Sequence, residues 1–178
     1  MNTLERYGVK SLTTNGVTLL GILLAIELIL KRFTIGPDVV KVSLVFVVTT
    51  LIAYWFGPMW SVIIAAIGDI LGTALSGQPI FIGFTLSAIV GALIYSLAFY
   101  NKESISLTRI IITSCIIAIL VNLFMNTLWI KMLYNVDFWA YFNVRLVKNL
   151  ITTPIQIIVI YLVLNYLPIK NIKQKIFK

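Results

Sequence analysis

Five polar side chains toward the end of the chain, Arg145, Lys148, Asn149, Thr152 and Gln156, follow the spacing i, i+3, i+4, i+7, i+11. At 3.6 residues per helical turn this spacing puts all five on one stripe, while apolar residues such as Ile157, Ile158, Val159 and Ile160 face other directions. In the preceding apolar run, Asn122, Asn126 and Trp129 repeat the device at i, i+4, i+7. Guanidinium and ammonium groups pair with carboxylates, and side-chain amides offer both donors and acceptors. A charge placed in lipid costs about 3 kcal/mol on insertion scales, so cations near a membrane span face a cavity or a partner. The two stripes therefore predict a pocket inside a membrane protein, with cations near its mouth and amides deeper. Such a pocket suits an anionic, hydrogen-bonding small molecule.

The elements that carry these stripes follow from composition. The chain has 178 residues, 60% of them hydrophobic and only 11% charged, with a mean hydropathy of +1.02. Soluble domains carry about a quarter charged residues. Residues 1–178 are expected to form a single transmembrane domain of the all-α class. A crossing needs about 20 apolar residues, and six are read, at roughly 15–31, 38–55, 58–76, 81–100, 107–133 and 142–167. Pro37, Gly57-Pro58, Gly77-Gln78-Pro79 and Pro168 punctuate their boundaries. Spans three and four are rich in small residues (Ala65, Gly68, Gly72; Gly83, Ala88, Gly91), which let helices approach closely in lipid. The runs are too long and too uniformly apolar for a transmembrane β-barrel.

Composition also excludes chemistry. Histidine is absent and Cys115 is the single cysteine. That rules out a histidine relay or an internal disulfide and disfavours a Cys/His metal site; no cofactor is expected. Residues 1–15 lack the apolar core and cleavage site of a signal peptide. With the N-terminus inside, the cytoplasmic regions hold Arg6, Lys10, Lys102, Arg109, Lys170, Lys173, Lys175 and Lys178, against Lys31, Arg32, Lys41, Lys131, Arg145 and Lys148 outside. Eight against six favours both termini in the cytoplasm of a multi-pass cell-membrane protein. The net charge of +8 flanks the spans on both sides rather than forming one basic face, which argues against nucleic acid as a partner.

Residues 56–100, with Phe56-Gly57-Pro58-Met59-Trp60 and Gly83-Phe84-Thr85-Leu86-Ser87-Ala88, bring a family into view. Together with Asn122-x-x-x-Asn126-Thr127-Leu128-Trp129 and Arg145-Leu146-x-Lys148-Asn149, the chain resembles the substrate-binding S-components of energy-coupling factor (ECF) transporters, most closely their folate-specific branch. The resemblance runs from Glu27 to Tyr166. It implies six transmembrane helices, vitamin binding from outside, and docking on a transmembrane coupling subunit driven by two ATPase subunits. The family is thought to topple in the membrane to release its vitamin. A helix-one alanine pair contacts the coupling subunit in the family, which assigns that role to Gly21 and Ala25; the glycine departs from the alanine pattern.

Folate has two tail carboxylates, an aromatic middle and a pterin edge of adjacent donors and acceptors. Arg145 and Lys148 suit the carboxylates, with Arg32 as a third cation. Asp69, in mid-span three, suits the guanidine-like pterin edge. Asn122, Asn126 and Asn149 supply further hydrogen bonds, and Trp60, Phe84 and Trp129 supply stacking surfaces. Each residue has a plainer reading. Arg145 and Lys148 can snorkel to headgroups, Asn122 can be interhelical glue, and Gly21 and Ala25 can serve internal packing. Asp69 can cap a helix or pair with a cation, and the tryptophans can form interfacial belts. Glu27 has Lys31 at i+4, a salt-bridge spacing that favours a structural role.

Three functions compete: a vitamin-binding transporter subunit, for folate or another anionic vitamin; an intramembrane enzyme using Asp69 and Glu27; and a structural protein. An intramembrane aspartyl protease needs a second Asp in a recognisable motif, and a structural role leaves the aligned cations and amides unexplained. There is no G-x-x-x-x-G-K-[ST] loop, so ATP hydrolysis must come from partners.

Overall fold

The computed structural model describes residues 11–35, 42–102 and 104–166. Their order is α1 (Thr14–Arg32), β1 (Thr34–Ile35), β2 (Val42–Ser43), α2 (Val45–Leu75), α3 (Ile82–Phe99), α4 (Leu107–Ile116), a π-helix (Ile117–Met125), α5 (Asn126–Tyr134) and α6 (Phe138–Tyr166). The run Leu107–Tyr134 is continuously helical. Among the described residues five helices are thus long and apolar enough to cross a membrane: Thr14–Arg32, Val45–Leu75, Ile82–Phe99, Leu107–Tyr134 and Phe138–Tyr166.

Five membrane-length helices stand where six were expected, because spans two and three merge into α2. The expected span 38–55 begins late: residues 38–41 lie outside the described residues, and Val42–Ser43 pair antiparallel with Thr34–Ile35 as a two-residue strand. Helix α2 is interrupted at Gly57, whose φ of 79° and ψ of −178° lie outside helical space. That conformation is essentially restricted to glycine. A side chain there would also collide with Tyr100, since a Cβ would sit 2.8 Å from the ring's Cζ. Pro58 follows, a residue suited to the first turn of a new helix segment.

The interruption reverses the chain. A straight helix of 31 residues would hold its ends roughly 46 Å apart. Yet β2 ties the start of α2 to the strand that follows α1, and Arg32 in the last turn of α1 donates to the Leu75 carbonyl at the far end of α2. Both ends of α2 therefore meet the same end of α1. The segment 45–56 is about 18 Å long by its helical rise, short of the roughly 30 Å hydrocarbon core.

The core gathers around this hairpin. Ile52, Ala53, Tyr54, Trp55 and Phe56 are buried with Phe99 and Ile110, and Tyr95 stacks on Phe99 at 5.8 Å between centroids. Helix α1 packs against the second half of α2 through a polar seam. Lys31 Nζ donates to the Gly68 carbonyl at 2.6 Å and lies 3.4 Å from Glu27 Oε1, the ion pair expected from their spacing. The small residues of span three give this seam room: a Cβ on Gly72 would lie 2.6 Å from Lys31 Cδ, and one on Gly68 would lie 3.0 Å from Glu27 Oε1.

Candidate functional site

The stripe on α6 faces inward. Arg145, Lys148, Asn149 and Gln156 are half-buried and Thr152 is buried, while Val144, Leu146, Val147, Leu150, Ile151, Ile155 and Ile158 between them are exposed. All five stripe residues line one cavity of about 300 Å³ together with Asn122 and Asn126 from the π-helix and the start of α5, Ser43 from β2, and Val45 and Phe46 from the start of α2.

The π-helix explains how the facing wall is built. Its wider turn ends where the Asn126 N–H donates to the Val121 carbonyl, five residues back. Two of its carbonyls accept from the α6 stripe: Arg145 Nη1 donates to Asn122 O at 3.1 Å and Asn149 Nδ2 to Ala118 O at 3.4 Å. These two contacts, four residues apart on each helix and running in opposite directions, fix the antiparallel register of the walls. Asn126 Oδ1 is buried without a hydrogen-bond partner among the described residues, a state that costs free energy.

A second cavity of about 240 Å³ continues from the first. The two share Val45, Phe46, Asn122 and Gln156. Beyond those four residues the lining turns acidic, with Glu27, Asp69 and Lys31 joined by Thr49, Ala65 and Tyr95. Lys31 is committed to Glu27 and the Gly68 carbonyl. Asp69 Oδ2 accepts a 2.8 Å bond from the Thr85 hydroxyl, a neutral partner that leaves its charge uncompensated by that contact. One end of the cleft carries Arg145 and Lys148, and the other the Glu27–Lys31 ion pair beside Asp69.

Asn122, Asn126, Arg145, Lys148, Asn149 and Asp69, all expected at the site, line this cleft. Other candidates lie elsewhere. Arg32 caps the end of α2. Trp129 and Phe84 line neither cavity: Trp129 donates from Nε1 to Ser87 Oγ at 2.9 Å, and both rings pack on Phe81. Trp60 packs against the core and also lines neither cavity. Sequence reasoning passed over Glu27 and Lys31 as cavity wall and Phe46 and Tyr95 as site residues, and it placed Gln156 on the pocket stripe without naming a ligand contact for it. Gly21 and Ala25 lie on an exposed face of α1 with Val17, Ile22, Ile26 and Ile29. A Cβ on Gly21 would meet nothing within 4 Å, so that glycine serves no close packing within the described residues.

Membrane-length helices around a polar cleft define a membrane-embedded binding protein. Residues 15–164 match the family described as the substrate-specific component of ECF transporters, and the chain belongs to that family. The family is a transporter component, not an enzyme. The chain is 38% identical over 133 residues to the folate transporter FolT of Leuconostoc mesenteroides, covering 74% of this chain and 72% of that one. It is 36% identical over 121 residues to FolT of Clostridium novyi, covering 67% and 70%. The crystal structure of a FolT bound with folic acid superposes with a TM-score of 0.79 at 31% identity, over 87% of this chain and 95% of that one.

Proposed function

We propose that this chain is the folate-binding S-component of an ECF-type vitamin importer, with the polar cleft as its binding site. The observation that carries the reading is the charge order along the cleft, with Arg145 and Lys148 at one end and Asp69, held by the Thr85 hydroxyl beside the Glu27–Lys31 pair, at the other. Folate has the same order, an anionic glutamate tail and a donor-rich pterin edge. In this reading Arg145 and Lys148 pair the tail carboxylates, Asp69 accepts from the pterin edge, and Asn122 and Asn126 supply amide hydrogen bonds, with Asn149 holding the wall. The FolT relatives and the folic-acid-bound neighbour support the choice of folate among anionic vitamins.

Without a phosphate-binding loop the chain depends on partners for energy. Those partners are a transmembrane coupling subunit, met through the Gly21 and Ala25 face of α1, and two ATPase subunits. The two halves of α2, separated at Gly57, count as two of the six helices of the family, the first of them shorter than a full crossing, with both termini cytoplasmic and the cation end of the cleft outward. Identifying the small molecule that co-purifies with the detergent-solubilised protein tests the ligand: a pteridine absorbance and mass are expected. Calorimetry in which riboflavin or pantothenate binds and folate gives no heat would move the protein to another branch of the family.

A further inference from the structure

We infer that Thr85 is a positioning residue for the ligand: its hydroxyl anchors one carboxylate oxygen of Asp69 and so aims the other into the cleft. The inference rests on the folate reading above, and it adds a residue that the ligand does not touch. Asp69, on α2, is half-buried and lines the second cavity. Thr85, on α3, lines neither cavity, yet its Oγ1 donates to Asp69 Oδ2 at 2.8 Å. That bond departs from what hydroxyls do elsewhere in these helices. Thr18, Thr49, Ser61 and Thr113 each donate to the main-chain carbonyl four residues back, the local bond open to any Ser or Thr in a helix. For Thr85 that carbonyl belongs to Phe81, and the single hydroxyl proton goes instead to a side chain on the neighbouring helix. An aspartate has two side-chain torsions, and an anchor on one oxygen restrains both. A carboxylate held in this way presents its other oxygen in a fixed direction, as recognition of a paired N–H edge requires.

The test crosses a protein change with a ligand change, by calorimetry on the detergent-solubilised protein. The probes are folate and a folate analogue with hydrogen in place of the exocyclic amino group on the pterin edge. Wild type should prefer folate by about tenfold or more, the scale of a hydrogen bond to a charged group. Thr85→Val keeps the shape of the side chain and removes its donor. It should reduce that preference to about threefold, roughly half of the bond's free energy, by weakening folate while the analogue binds as to wild type. The retained affinity for the analogue also reports an intact fold. Thr85→Ala, which makes no packing demand, should give the same result. Thr85→Ser keeps the hydroxyl and should restore the wild-type preference. Equal weakening of both ligands in the valine and alanine variants, or an unchanged preference, overturns the assignment. So does a wild type that binds folate without preferring it to the analogue. Failure of wild type to bind folate at all would instead overturn the functional reading beneath it.

Discussion

The guanidinium of Arg145 is held by the main-chain carbonyl of Asn122, at 3.1 Å, and not by an acidic side chain. A carbonyl orients a guanidinium without neutralising it, so the positive charge remains available to an anion. The carbonyl that does this belongs to the π-helix, whose side chain at the same residue lines the cleft. One residue thus both positions the cation and forms the wall beside it.

Removing that cation should separate the two ends of the ligand. Arg145→Ala is expected to cost folate about 2–5 kcal/mol, the range for truncating one partner of a buried charge pair. A pterin fragment without the glutamate should bind nearly as before. Calorimetry with the two ligands measures both, and unchanged folate affinity would mean that Arg145 only snorkels.

Asp69→Asn is the complementary change. The Asn carbonyl can still accept from Thr85, so the local structure should persist, while the charge that faces the pterin edge is gone. Folate and the pterin fragment should weaken alike, by about 1.5–3 kcal/mol, the worth of a hydrogen bond to a charged group. Affinities that do not move assign Asp69 a purely structural role.

In liposomes the purified chain should neither hydrolyse ATP nor accumulate folate against a gradient, and uptake should appear when the energising subunits are added. A Gly21→Trp or Ala25→Trp change projects into open space on the exposed face of α1. Uptake should fall while folate binding in detergent stays intact. Accumulation by the chain alone would sink this expectation.

Gly57→Ala should destabilise the protein itself. The φ of 79° penalises any Cβ, by about 1–3 kcal/mol, and the Tyr100 ring occupies the space that the methyl needs. A lowered thermal midpoint in detergent is expected. The double change Gly57→Ala with Tyr100→Ala should recover only the steric part, and full recovery would show that the backbone conformation carries no cost.

The site was legible where chemistry followed helical period. The α6 stripe needed only the 3.6-residue repeat, and all five of its residues line the cleft. The same arithmetic failed one helix earlier. Asn122, Asn126 and Trp129 share a stripe only if the intervening turns are α-helical, and a π-turn holds more residues per turn. Asn122 and Asn126 reach the cleft, and Trp129 turns away to Ser87. Arg32 donates to the Leu75 carbonyl away from the cleft, and a cation at a helix end reads the same in sequence whether it meets a ligand or caps a neighbouring helix. The break expected near Gly57 and Pro58 is present as a non-helical residue inside α2, because glycine adopts the positive φ and proline starts the next segment. Sequence could not reveal that the break would make a hairpin joined by a single residue, since that depends on Tyr100 closing over it.

A hairpin without a loop has no place to grow. Most paired membrane helices are joined by segments that absorb insertions, tags and protease sites at little energetic cost. At Gly57 the connection is one buried residue under an aromatic ring. Length changes in this protein must therefore be accommodated elsewhere, in segments such as 76–80 or 135–137, and the spacing between Trp55 and Trp60 is fixed by the fold itself.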